Sequence, residues 1–433
     1  DSQLFVDHRE RILAQLPPDS MAIVHSNDVM PTSADGIMGF SQNSSLYYLT
    51  GVDQEETCLL LFPGQAAAEQ AHLFVRKTSD LIRIWEGNKL TKEQASEVSG
   101  IPLVSWTDDL DPMLRRALRQ VRYVFMEANE HPRSATPVSS RSDRFRLCLQ
   151  RFSPHLEFRR LAPILTMSRE IKSEGEISVI QTACEITKAG LERVLSFTCP
   201  GVHEFEIEAE FLHEILRRRS RGFAYQPIIA SGGNACALHY IDNHAACQDG
   251  DLVLMDLAAE YAGYKSDLTR TIPVNGKYTP RQRSIYESVL RVFRACVSDL
   301  LRPGITTKAY HAEVGKMMEE ELLSLGLLDP EKVREERAKD GTDEEIQEER
   351  RLYRKYFMHG TSHSLGIDVH DVQDPDRVVK EGMVMTIEPG IYLPEENLGI
   401  RLENDVVVRA SGNDDLMASI PIHPDEIEEA MRR

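Results

Sequence analysis

Five residues in the second half of the chain suit chemistry better than they suit folding: Asp256, Asp267, His363, Glu388 and Glu403. Each lies in or beside a short apolar run where a charge is normally avoided. Asp256 ends LVLMD (252–256), and Asp267 lies in YKSDLTRT (264–271). His363 closes HGTSH (359–363), Glu388 sits in MVMTIEPG (383–390) and Glu403 in GIRLENDVVV (399–408). Burying several carboxylates together is strongly unfavourable unless cations compensate them. Two divalent metal ions would do so. Four oxygen donors and one imidazole form a hard set that suits Mn2+, with Zn2+, Co2+ or Fe2+ also accommodated; the absence of Cys argues against a structural zinc site.

The spacings point to the elements that must carry these groups. Asp256 and Asp267 flank Gly263, so a strand, a turn and a returning strand turn both carboxylates toward one cavity. Taken singly, either Asp reads as a turn cap; two of them around a hairpin, with three later partners, read as ligands. Glu388 stands before Pro389 and Gly390, which end its strand and hold the carboxylate at the mouth. Glu403 lies in a second strand able to pair antiparallel with the first. Arg401 is near it in sequence, so an Arg401–Glu403 ion pair is the competing reading. His363 has His359 and His370 for company. No Glu follows His359, so the HExxH pattern of helical zinc sites fails, and Gly360 and Gly366 favour a loop.

Further back, 4–16 reads as an amphipathic helix and MAIVHS (21–26) as a strand. SLYYLTG (45–51) and TCLLLFPG (57–64) read as extended runs, as do HLFVRK (72–77) and VRYVFME (121–127). No glycine-rich phosphate loop appears among them. Ser173 and Glu176 have capping-box spacing for a long helix, and a second helix is expected over about 203–219. The highly charged 329–356 segment reads as a solvated helix pair broken at Gly341.

The 433 residues suffice for two domains with full cores. A net charge of −19 disfavours nucleic-acid partners, whose phosphates would be repelled. Seven scattered cysteines, odd in number and without CxxC spacing, suit reduced thiols in a cytoplasmic enzyme rather than a disulfide framework. No run approaches the ~18–20 apolar residues of a membrane span, and no signal-peptide pattern is visible.

Read in order, ALHY (237–240), MDLAAEYAGYKSDLTRT (255–271), HGTSHSLGIDVHD (359–371), TIEPGIY (386–392) and GIRLEND (399–405) resemble the motifs of the pita-bread metallopeptidases, within them the Xaa-Pro aminopeptidase and prolidase family. LFVDHRERILAQLPPDSMAIV (4–24) and NSSLYYLTG (43–51) resemble that family's non-catalytic domain, so the likeness covers nearly the whole chain. ASGGNAC (230–236) departs from the family's usual GSGENGC-type run. The resemblance implies an α+β protein: a smaller α/β domain over 1–165, then a pita-bread (creatinase/aminopeptidase-like) catalytic domain over 166–433. It implies that Asp256, Asp267, His363, Glu388 and Glu403 bind two divalent ions sharing a hydroxide, with Asp267 and Glu403 bridging. Glu388, His239, His359, His370 and Arg401 become catalytic groups, and Tyr225 and Tyr392 substrate-facing ones. For the two tyrosines, simple packing with a bonded hydroxyl is the competing reading. The implied activity is hydrolysis of the N-terminal X-Pro bond of peptides, with prolidase action on X-Pro dipeptides as the alternative. The implied assembly is a homodimer or homotetramer.

Overall fold

The computed structural model describes residues 2–128, 130, 138–341, 347–374 and 378–432. The chain divides into two compact units, Asp1–Arg169 and Glu170–Arg433.

The first unit is a mixed sheet with helices between its strands. Its elements in order are α1 (Ser2–Leu13), β1 (Ser20–His25), α2 (Ser44–Thr50), β2 (Cys58–Leu61), β3 (Ala71–Val75), α3 (Asp80–Glu86), α4 (Lys92–Ser99), β4 (Leu103–Trp106), α5 (Leu110–Ala117), β5 (Tyr123–Met126), α6 (Arg141–Phe152), β6 (Glu157–Arg160) and α7 (Ala162–Arg169). The strand order is β4-β3-β2-β1-β5-β6. β1 runs antiparallel to β2 and parallel to β5. Every residue of β1 and β2 is buried, as a central strand covered on both faces requires. Met21, Ile23, Leu60, Phe74 and Val124 anchor one core cluster.

One expectation fails here. SLYYLTG is not extended; Ser44–Thr50 is α2. The Asn43 side chain accepts the Leu46 N–H as an N-cap, and Gly51 ends the helix at φ 66°. A Cβ on Gly51 would come within 2.2 Å of the Phe5 ring, so only glycine closes the helix against α1. Local capping overrode the strand-like composition of the segment.

The second unit opens with two packed helices, α8 (Glu174–Phe197) and α9 (Glu204–Arg217). The Ser173–Glu176 capping box is present. There follow β7 (Ile228–Ser231), β8 (Leu252–Asp256), β9 (Glu260–Tyr261), β10 (Tyr264–Lys265), β11 (Thr269–Pro273), α10 (Pro280–Ala295), α11 (Thr307–Ser324), α12 (Pro330–Arg337), β12 (Val384–Ile387), β13 (Gly390–Leu393), β14 (Leu398–Arg401), β15 (Asn404–Val407), β16 (Asp414–Asp415) and α13 (Pro424–Ala430). The strands form sheets ordered β11-β8-β7 and β12-β15-β16, with the pairs β9/β10 and β13/β14. Of the expected charged helix pair, α12 is the first member. Residues 342–346 lie outside the described residues, and beyond them Glu348–Arg350 and Leu352–Lys355 are short 3-10 turns rather than a second α-helix.

Candidate metal centre

Two antiparallel strand pairs bring the acids together. β8 and β11 pair with Asp256 opposite Thr269, so Asp256 ends one strand while Asp267 lies two residues before the other. β12 and β15 pair with Ile387 opposite Asn404. Continuing that register by one residue sets Glu388 against Glu403 at the same end. A bridge between Thr269 and Glu403 joins the two pairs, and the Glu403 N–H donates to the Thr269 carbonyl at 3.1 Å.

The histidine segment is laid along β12. Glu388 N–H donates to the Thr361 carbonyl (2.8 Å), Thr386 N–H to that of His363 (3.0 Å), and Leu365 N–H to that of Val384 (3.0 Å). It is a loop, as its glycines implied. These bonds leave His363 Nε2 3.5 Å from Asp267 Oδ2 and 3.8 Å from Glu388 Oε1. His363 Nδ1 lies 3.1 Å from the Ser364 carbonyl, which can only accept. In its neutral form the imidazole therefore keeps its proton on Nδ1 and turns the Nε2 lone pair to the acids. His370 stacks on the same ring at 3.8 Å between centroids.

The structure gathers four of the five directly. One ligand atom from each of Asp267, His363 and Glu403 lies within 4.8 Å of the others, and Glu388 stands beside His363. Asp256 joins through Tyr225, whose hydroxyl lies 2.5 Å from Asp256 Oδ1 and 2.6 Å from Asp267 Oδ1. A phenol has one proton to donate and cannot satisfy two carboxylates at once.

Arg401 does not pair with Glu403 as the competing reading supposed. It is only 4 % exposed, and its fork is divided three ways. Nη2 donates to Asp256 Oδ2 (2.7 Å), Nη1 to the Tyr392 hydroxyl (2.9 Å) and Nε to Thr269 Oγ1 (3.2 Å). Thr269 Oγ1 in turn donates to Glu403 Oε2 (2.7 Å). Tyr392 is fully buried, its hydroxyl shared between Arg401 and His359 Nε2 (2.8 Å), so it stands behind His359 rather than open to the cavity. His359 Nδ1 faces the Gly360 carbonyl at 2.7 Å and Glu388 Oε2 at 3.6 Å. His239 is exposed, and among the described residues no hydrogen bond or ion pair ties it to the acids.

Setting these acids together away from water shifts their protonation. Burial, then the charges of Asp267, Glu388 and Asp256, push the Glu403 carboxyl well above the carboxylate range. Burial likewise raises Glu388 to about 7, against the pull of His363 and Arg401. Asp256 is raised by burial and by Asp267, with Arg401 opposing. Burial by itself would lower His363; contact with Asp267 and the charges of Glu388 and Asp267 outweigh it and hold the imidazole at about 9. Four acids thus face one guanidinium, and Asp256, Glu388, Glu403 and His363 all shift toward holding protons, while burial and the Arg401 charge lower His359 to about 3. His363 Nε2, 3.5 Å from Asp267 Oδ2 and 3.8 Å from Glu388 Oε1, stands at separations that ligands around an ion with ~2.0–2.2 Å bonds adopt. The residues fit divalent cations.

Three supporting residues were not singled out from sequence. Besides Thr269, Arg270 is wholly buried and donates to the carbonyls of Thr269 (2.9 Å), Glu403 (2.8 Å) and Pro421 (2.8 Å) and to Asn404 Oδ1 (2.8 Å). It fixes the backbone at Glu403 and at its bridge partner Thr269. Asp405 accepts the Asp267 N–H at 2.9 Å. A full cation between two threonines in a short strand-like run (TRTIP, 269–273), which proves wholly buried, was the available signal.

Four closely set acids with one oriented imidazole are the donor set of carboxylate-ligated metalloenzymes. Residues 178–410 match metallopeptidase family M24, and residues 5–125 match the aminopeptidase P N-terminal domain. The chain is 35% identical to the Xaa-Pro aminopeptidase of Escherichia coli strain K12, over 99% of this chain and 97% of that protein. Aminopeptidase P from E. coli with the inhibitor Pro-Leu superposes with a TM-score of 0.87 at 32% identity, covering 100% of this chain and 98% of the other. The Zn-substituted E. coli enzyme in complex with product gives 0.86 at 31%, covering 100% and 99%. This chain belongs to metallopeptidase family M24, with the α+β, creatinase/aminopeptidase-like fold that its motifs implied. No helix among the described residues is long and apolar enough to cross a membrane.

Proposed function

We propose that this chain is an Xaa-Pro aminopeptidase, which removes residue X from peptides carrying proline second. The observation that carries the reading is the convergence of Asp267, His363 and Glu403, with Glu388 beside them, in a chain similar to aminopeptidases along its whole length. That full-length likeness supports an aminopeptidase over a prolidase.

Asp256, Asp267, His363, Glu388 and Glu403 would hold two divalent ions, Mn2+ first among the candidates, then Zn2+, Co2+ or Fe2+. When bound, such ions polarise a scissile carbonyl and lower the pKa of water. Glu388 takes the proton of the attacking water and delivers it to the proline nitrogen as that nitrogen leaves. His239 and His370 donate hydrogen bonds to the peptide and to the oxyanion that develops on its carbonyl. Arg401 keeps Asp256 oriented, Tyr392 holds His359, and the Tyr225 hydroxyl lies between Asp256 and Asp267.

The reading assigns catalysis to 166–433 and a non-catalytic role to 1–165. It also carries a cytoplasmic enzyme, which seven free thiols suit, and a homodimer or homotetramer, which light scattering tests. Hydrolysis of an X-Pro dipeptide compared with an X-Pro tripeptide tests the activity. Release of X from the tripeptide is expected. Cleavage of the dipeptide alone would favour a prolidase, and cleavage of neither would overturn both.

A further inference from the structure

Glu204, at the head of α9, is a wholly buried carboxylate outside the acid cavity. Its Oε1 accepts from the Ser231 N–H (2.7 Å), the Ser231 hydroxyl (2.8 Å) and Asn234 Nδ2 (3.2 Å). Its Oε2 accepts from the Tyr240 hydroxyl (2.8 Å) and the Ala245 N–H (2.9 Å). All the donors belong to residues 231–245. A carboxylate taken out of water is costly unless its lone pairs are filled, and charge-assisted hydrogen bonds are about twice as strong as neutral ones. Here they are filled by neutral donors from a single segment. The Glu204 N–H closes the same loop by donating to the Ala245 carbonyl at 3.0 Å.

Two other anchors hold the segment at its ends: Ser231 pairs with Val253 as part of β7, and buried Asn243 accepts the Ile229 N–H (2.9 Å) and donates to the Pro227 carbonyl (3.0 Å) and Glu208 Oε2 (2.9 Å). Between them Glu204 is the shared acceptor. Gly233, Ala237, His239, Ile241, Asp242 and His244 are exposed. Its apolar side chains Leu238 and Tyr240 pack, half-buried, against Ile228, Ala230, Leu254 and Tyr392. Tyr392 is the residue whose hydroxyl bonds His359. Gly399 lets β14 approach, since a Cβ there would lie 2.5 Å from the Ala235 carbonyl oxygen. The segment is therefore the wall next to the cavity, and His239 stands on it immediately before Tyr240.

We propose that Glu204 is a positioning residue: its hydrogen bonds fold residues 231–245 into the wall that presents His239 to substrate. The inference rests on the peptidase reading above. Glu204→Gln keeps the shape but replaces an acceptor oxygen with a donor that faces donors.

The test combines hydrogen exchange over 231–245, Mn2+ affinity by calorimetry, and kcat/KM on an X-Pro tripeptide. Hydrogen bonds to a charged group contribute ~1.5–3 kcal/mol, so exchange over 231–245 is expected to quicken about tenfold or more in E204Q. Loss of positioning lowers kcat/KM by roughly 10- to 100-fold, with Mn2+ affinity held within about twofold. Adding His239→Ala to E204Q then costs less than it does alone. Tyr240→Phe, which deletes one of the bonds, gives the same pattern more weakly and serves if E204Q does not fold. Unchanged exchange over 231–245, or full additivity with His239→Ala, overturns the inference. So does a loss of Mn2+ binding with exchange quickened through β8 and β11, which marks general unfolding. If the wild-type protein cleaves no X-Pro peptide, the peptidase reading falls while the exchange measurement still decides whether Glu204 holds the wall.

Discussion

Replacing Thr269 with Val is the perturbation whose consequence the geometry fixes most closely. The side chain is wholly buried, and Val matches its shape, so packing changes little while the hydroxyl disappears. Two bonds go with it: the one donated to Glu403 Oε2 at 2.7 Å and the one accepted from Arg401 Nε at 3.2 Å. A hydrogen bond to a charged group contributes ~1.5–3 kcal/mol, and ~1.4 kcal/mol is a factor of ten in affinity, so Mn2+ should bind roughly 10- to 100-fold more weakly. An independent guide agrees: losing a partner that orients a metal ligand typically costs ~10–100-fold in metal affinity or activity. Calorimetric titration of the metal-stripped protein with Mn2+ gives the affinity, and Thr269→Ser, which keeps a hydroxyl, should restore it. Affinity of T269V within about twofold of wild type would refute the claim that the Arg401–Thr269–Glu403 chain orients the acid.

Arg401→Lys keeps the charge but cannot reach Asp256, Tyr392 and Thr269 together, because an ammonium lacks the planar fork. We expect kcat/KM on an X-Pro tripeptide to fall roughly 10- to 100-fold while metal content by elemental analysis stays near wild type; a lysine variant as active as wild type would count against the fork. In the first unit, His25 is buried against Phe145 with neither ring nitrogen hydrogen-bonded, and burial followed by the Arg141 charge lowers its pKa to about 3, with Asp28 opposing. The unfolded chain takes up this proton near pH ~6.5, so stability is intact above that pH and is lost as pH falls toward 3. Relative to His25→Phe, the wild type should lose about 1.4 kcal/mol per pH unit between pH 6 and 4. Both tryptophans, Trp85 and Trp106, lie in this unit, so fluorescence-detected urea unfolding reads it selectively, and parallel pH profiles for the two proteins would refute the assignment.

The acids were legible in the sequence because each broke a local rule, as a charge in or beside a short apolar run, at the end of a strand or within two residues of one. Part of their mutual placement was legible too, since Gly263 marks a turn between Asp256 and Asp267 and Pro389–Gly390 the end of the strand that carries Glu388. The partner of Arg401 was not. Proximity along β14 suggested Glu403, whereas the long side chain crosses to Asp256 on β8, a contact set by sheet pairing. The hydrogen bonds of Glu204 were equally hidden, because its donors lie 27 to 41 residues further on. The SLYYLTG segment differs from its strand-like composition for the opposite reason. Its two tyrosines suit a strand, but Asn43 and Gly51, both adjacent in sequence, cap it as a helix. Caps act within a turn and can be read locally, while long-range partners require the fold.

The most direct test of the metal cage is the metal content of the protein after stripping, reconstitution with Mn2+ and removal of excess. Measured by elemental analysis, it should be close to two ions per chain in the wild type and fall steeply in Asp256→Asn and Glu403→Gln proteins that keep their fold by circular dichroism. A wild type that retains no metal, or a doubly substituted protein that retains its full complement, would contradict the account.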